Sequence, residues 1–145
     1  MKVRYLLPLL ISLSLLIPQY AFASKLPGTF DCELSFKNQI TESFLIYCAD
    51  GNEMITRIKW EKWDRNGASG YGYHVWNDCS PDCVDGKTHS VRVRVLLLKP
   101  ISLKKNDYFT RLKWWEIDSS MKMKKYGQSG ELDLYQNFKD MGGRI

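Results

Sequence analysis

HSVRVRVLLL, residues 89 to 98, sets Val91, Val93, Val95 and Leu97 at alternate positions, with Arg92 and Arg94 between them. Successive side chains of a strand point to opposite faces. Period two therefore makes this stretch a strand with one apolar and one cationic face. The segments around it repeat the period. MITRIKWEKW (54–63) puts Met54, Thr56, Ile58 and Trp60 on one face and Arg57, Lys59 and Glu61 on the other. ASGYGYHVW (68–76) alternates small residues with Tyr71, Tyr73 and Val75. Glycines inside a strand mark a bend or a close backbone approach. YFTRLKWWEI (108–117) reads as a further strand and ELDLYQNF (131–138) alternates again, while SFLIYCA (43–49) is a short run rich in aromatic and β-branched residues. ADGN (49–52) and DRNG (64–67) are turns. KPISLKKND (99–107) reads as a loop, DSSMKMKKYGQSG (118–130) as a loop or one or two helical turns, and KDMGGRI as a loose tail. Short strands separated by turns indicate an all-β fold: a small antiparallel sandwich or barrel of about six to eight strands.

The chain begins MKVRYLLPLLISLSLLIPQYAFA. A basic start at Lys2 and Arg4, an apolar run from Leu6 to Ile17 and the small-x-small triplet Ala21-Phe22-Ala23 are the three parts of a secretory signal peptide. The apolar run is short of the roughly 20 residues that span a bilayer. Cleavage is expected near Ala23, leaving residues 24–145 as a single secreted or periplasmic β domain with no membrane span, a monomer. The whole chain carries a net charge of +5, and loss of Lys2 and Arg4 lowers it to +3. That charge is compatible with an anionic partner and does not require one. No run of like charges suggests a nucleic-acid tail.

Four cysteines, an even number, remain in a chain that leaves the cytoplasm, where disulfides persist. Proximity favours Cys79–Cys83, which leaves Cys32–Cys48. NDCSPDCVDG (77–86) invites other readings. As a calcium loop it has Cys83 where glycine is needed and His89 where the bidentate Glu is needed. As a zinc site, His74, Cys79, Cys83 and His89 supply four ligands, but from two opposing strands and at a spacing unlike known zinc sites. As a redox pair it is C-x-x-x-C, with Pro81 inside and no helix after it. The expectation is a disulfide staple that supplements a thin core, with no metal and no cofactor.

ITRIKWEKW, ASGYG, NDCSPDC, Gly86, VRVRVLLLKP and YFTRL together resemble a group of small, secreted, largely uncharacterised bacterial proteins. These share a W-x-x-W strand, an A-x-G-x-G strand, an N-D-C-x-P-x-C loop, a hydrophobic strand and an F-T-R-L strand. The match covers about residues 44 to 112. The resemblance implies a secreted β domain with a disulfide loop, and no activity. FDCELSF with FLIYCADGNEMITRIKW after it also looks like the start of periplasmic lysozyme inhibitors, with Ser69 and Gly70 in place of their Ser-Gly segment. The spacing downstream departs from theirs, and the CSPDC loop is foreign to them.

G-x-S-x-G, H-E-x-x-H and phosphate-loop motifs are all missing. The only histidines, His74 and His89, are the sole candidates around which a small hydrolase would be built. Binding is the better expectation. Alternation sends Trp114 and Trp115 to opposite faces, and Trp60 and Trp63 likewise. Arg92, Arg94, Arg111 and Lys113 share outward faces, and cations beside exposed aromatics suit sugar rings, phosphates or single-stranded nucleic acid. The favoured reading of these residues is the plainer one, in which the tryptophans fill the core and the cations form a solvated sheet face. The expected function is non-catalytic binding of an anionic cell-envelope polymer or a partner protein, through Arg92, Arg94, Arg111, Lys113 and Trp115. Inhibition of a cell-wall hydrolase is the alternative and hydrolysis the third reading. Residues 118–145 receive no role.

Overall fold

The computed structural model describes residues 25–32, 36–37, 40–48 and 51–144; the expected leader, residues 1–23, lies outside the described residues. Among these the elements in chain order are β1 (Thr29–Phe30), β2 (Phe36–Lys37), β3 (Phe44–Leu45), β4 (Glu53–Trp63), β5 (Ala68–Asn77), β6 (Thr88–Leu103), β7 (Asn106–Glu116), β8 (Ser129–Asp133) and α1 (Leu134–Asp140). The fold is all-β, with two disulfides and one short helix. β3 to β8 form one antiparallel sheet in sequence order, and β1 pairs with β2. The first chain segment is tied to the sheet where Gly28 N–H donates to the Asp107 carbonyl (2.8 Å) and Phe109 N–H to the Gly28 carbonyl (3.0 Å).

The alternation that begins at residue 89 sets the sheet's two sides. Val93, Val95 and Leu97 have no exposed surface, while Arg92 and Arg94 lie on the other face. The sheet curls over its apolar side, where Ile55, Ile58, Leu112 and Trp114 meet Phe30 and Phe138. No helix among the described residues is long and apolar enough to cross a membrane.

Strict alternation fails in β4. Its register shifts twice against β5, between Thr56 and Lys59 and between Trp60 and Lys62. A bulge inserts an unpaired residue and flips the facing of the residues beyond it. Arg57 occupies the first with a φ of 51°. Ile55 and Ile58, three apart, are therefore both in the core, and Met54 and Thr56 do not share a face with Ile58 as expected. The second shift brings Trp60 and Trp63 to the same side rather than opposite faces. Their rings meet edge to face at 4.9 Å, and Trp63 reaches Phe109 at 5.6 Å. Each indole N–H has a carbonyl partner, Thr41 at 2.7 Å for Trp60 and Pro27 at 3.0 Å for Trp63.

Three other segments differ from expectation. Residues 99–107 are not a loop. β6 runs to Leu103 and β7 starts at Asn106, because Pro100, Ile101 and Ser102 pair with Phe109, Tyr108 and Asp107. Of residues 43–49, only Phe44 and Leu45 are strand. Residues 131–138 are strand only as far as Asp133, whose carboxylate caps α1 by accepting from the Gln136 N–H at 2.9 Å. Leu134 and Phe138, four apart, then share one helical face and are buried.

Candidate functional site

The face of the sheet away from the core is built by cross-strand pairing. Lys59 pairs with Tyr71, Tyr71 with Arg94, Arg94 with Trp115 and Trp115 with Ser129. Tyr73 and Arg92 form the next row. Strands lie about 4.8 Å apart, so the row from Lys59 to Trp115 spans roughly 14 Å. The cations lie over the aromatic rings, with the Arg57 guanidinium 4.6 Å from the Tyr73 centroid and that of Arg92 4.9 Å from Tyr71. Such stacking holds a guanidinium flat without neutralising it.

Ion pairs divide this face in two. On the β7–β8 side, Arg111 meets Asp133 at 3.1 Å and Glu131 at 3.6 Å, and Lys113 meets Glu131 at 3.9 Å. Arg94 is held by Glu61. Three of the four cations expected to bind therefore already have carboxylate partners. Arg92 has none among the described residues, and neither have Arg57 and Lys59. The uncommitted charge lies on β4–β6, with Trp115 partly buried at its border. Arg57, Lys59, Tyr71 and Tyr73 were not among the expected site residues. The signal for them was the alternation of Arg57 and Lys59 in β4. What the sequence could not supply was the strand order that lays β4 beside β5 and β6.

The two histidines lie on the core side. His74 is 2% exposed, its Nε2 2.7 Å from Glu53 Oε1. Its ring is packed between Trp76 (4.8 Å) and Trp114 (4.1 Å). Its Nδ1 is buried without a hydrogen-bond partner among the described residues. His89 stacks on Trp76 at 5.2 Å, and its Nε2 lies 2.8 Å from Asp78 Oδ2. A hydrolase built on His74 would need a ring nitrogen open to substrate, and both are enclosed.

The cysteine loop is a staple. The disulfides are Cys79–Cys83 and Cys32–Cys48, and no cysteine is free. Its polar side chains fold back on the loop's own backbone. Asn77 accepts from the Cys79 N–H (2.8 Å) and donates to the Cys83 carbonyl (3.1 Å). Asp78 accepts from Lys87 (2.8 Å) and Ser80 (3.2 Å), and Asp82 from Val84 (2.9 Å) and Asp85 (3.0 Å). The His89 ring, then the Lys87 N–H, hold the Asp78 carboxyl below the usual carboxylate range. Gly86 is where the loop closes: a Cβ there would collide with Asn77 Oδ1 and lie 2.8 Å from Cys79 Cα. No group of three or more metal-ligating side chains occurs among the described residues.

Ser69 and Gly70, the segment likened to the lysozyme inhibitors, lie mid-strand in β5, with Gly70 covered by β4. A cavity of about 300 Å³ opens between β1, β3 and α1, walled by Phe30, Phe44, Leu134 and Phe138; Thr29, whose hydroxyl is buried without a hydrogen-bond partner among the described residues, also lines it. No protein-family model, curated protein or solved structure matches this chain.

Proposed function

We propose that this is a secreted or periplasmic, non-catalytic binding protein. It holds an extended anionic cell-envelope polymer against the β4–β6 sheet face. The observation that carries the reading is the placement of Arg57, Lys59 and Arg92, without carboxylate partners among the described residues, beside Tyr71, Tyr73 and Trp115. Guanidinium groups pair bidentately with carboxylate or phosphate. Aromatic faces beside them accept sugar rings or other flat, weakly polar surfaces. The two disulfides support a location outside the cytoplasm, and the N-terminal leader supports export with cleavage near Ala23.

Isothermal titration against polygalacturonate, inorganic polyphosphate and neutral dextran tests the reading. The anionic polymers should bind, dextran should not, and added salt should weaken binding. The double change Lys59→Ser/Arg92→Ser should weaken binding and flatten its salt dependence, with the melting temperature unchanged. Equal binding of dextran, or no effect of the double change, would overturn the proposal.

A further inference from the structure

In an antiparallel meander, successive connections alternate between the two ends of the sheet. β3–β4, β5–β6 and β7–β8 therefore turn at one end. Of the large hydrophobic side chains left exposed among the described residues, Leu26, Ile40 and Tyr73 lie elsewhere, and Tyr47, Val84, Met121, Met123 and Tyr126 sit on these three connections. Three of them belong to the β7–β8 connection, where Met123 is 65% and Tyr126 91% exposed. Singly exposed apolar residues need no explanation, but a cluster of them marks an interaction site.

Hydrogen bonds within this connection hold it in place. Ile117 bridges Met123. Asp118 N–H donates to the Lys122 carbonyl (2.9 Å), and the Asp118 carboxylate accepts from the Ser120 (2.8 Å) and Lys122 (3.0 Å) N–H groups. At its base the buried Glu116 carboxylate binds the Lys124 ammonium and accepts from the Gln128 N–H (3.1 Å). The backbone is thus fixed, while Met123, Tyr126, Lys122 and Lys125 point outward. Residues 119–130 contain no acid. Glu116 is buried on Lys124, and the exposed Asp118 carboxylate is taken up by N–H groups of its own loop, while Lys122 and Lys125 have no ion-pair partner among the described residues. Lys125 lies 5.3 Å from the Tyr126 ring centroid.

We propose that this hairpin tip docks on an anionic lipid bilayer, with Met123 and Tyr126 entering the interface and Lys122 and Lys125 on the headgroups. Tyrosine settles where one end of the ring is apolar and the other wet. Lysine next to an anionic membrane is attracted within a Debye length. Cores of protein–protein interfaces are depleted in lysine, so the composition favours lipid over an acidic protein groove. This site is separate from the β4–β6 face.

Co-sedimentation of the oxidised secreted chain with vesicles is the test. Phosphatidylcholine/phosphatidylglycerol vesicles should pellet the protein and pure phosphatidylcholine should not. Lys122→Ser/Lys125→Ser should weaken partitioning by about 25-fold, the equivalent of about 1 kcal/mol per lysine. Met123→Ser/Tyr126→Ser should also weaken it, and Lys104→Ser/Lys105→Ser, in the β6–β7 turn at the other end of the sheet, should leave it unchanged. Tyr126→Trp adds a reporter whose emission should gain a blue-shifted component on anionic vesicles only. Circular dichroism must show each variant folded, which the outward position of these side chains predicts. No binding to anionic vesicles, binding indifferent to the tip changes, or an unshifted Tyr126→Trp spectrum would each overturn the proposal. So would loss of an acidic protein partner, in the tip variants, by a chain that ignores vesicles.

Discussion

Gly70→Ala tests how β4 is seated on β5. The bulged strand comes so close that a Cβ at Gly70 would lie 2.5 Å from the Lys59 carbonyl oxygen and 2.9 Å from Trp60 Cα. Both are backbone atoms, so no rotamer change relieves the clash. β4 must lift. Overpacking of this kind costs about 1–3 kcal/mol. Lifting also stretches the ladder at Trp60↔Gly70 and the bond from the Trp60 indole to the Thr41 carbonyl, and each lost hydrogen bond adds about 1 kcal/mol. The expected loss is about 3 kcal/mol, against a total of roughly 6–18 kcal/mol for a domain of about 120 residues. With an unfolding entropy of about 2.1 cal/mol/K per residue, that lowers the melting temperature by about 12 °C. Ser69→Ala is the control, since its side chain is on the open face and its cost should stay within about 0.5 kcal/mol. Scanning calorimetry of the oxidised chain reads both. A Gly70→Ala protein that melts within about 3 °C of the parent would refute the argument that the A-x-G-x-G spacing exists to seat the bulge.

Three further outcomes are expected. Lys124, by hydrogen bonding, then the Gln128 N–H hold the Glu116 carboxyl below its ordinary 4.5. A depressed carboxylate stabilises the fold above its unfolded value and loses that contribution as pH falls through its folded value. The stability gap between the parent and Glu116→Gln should therefore narrow as pH drops below 4.5, and urea midpoints showing a constant gap would contradict this. Intact mass after alkylation should show no free thiol, and replacing Cys32 and Cys48 by serine should cost about 3 kcal/mol against about 2 for Cys79 and Cys83, because the longer loop loses more entropy; the reverse order in urea melts would count against the chain-entropy account. Arg92→Ser/Arg94→Ser should leave the fold intact, since the Arg94–Glu61 pair is half exposed and such pairs contribute at most about 1 kcal/mol; cooperative unfolding at ambient temperature would show those arginines to be structural.

Legibility in the sequence depends on how local the cause is. V-R-V-R-V needs only the pleat to place its residues, and β6 has the facing it dictates. The staple is readable because Asn77, Asp78 and Asp82 act within ten residues of chain. β4 defeats the same reading because a bulge depends on its neighbour. Nothing in MITRIKWEKW states where the strand slips, while the glycines that admit the slip lie in β5 at residues 70 and 72. α1 is hidden because L-x-L-x-x-x-F satisfies both periods, and the Asp133 cap decides between them. The site is hardest to read, since it depends on which carboxylates arrive opposite which cations. Arg111 and Lys113 look as available as Arg92 when β7 is read alone. They lose that availability because β8 brings Glu131 and Asp133 alongside them, whereas β5 faces Arg92 with a tyrosine. An outward cation in a strand is thus only half a binding residue. The strand that pairs beside it decides whether its charge is already spent.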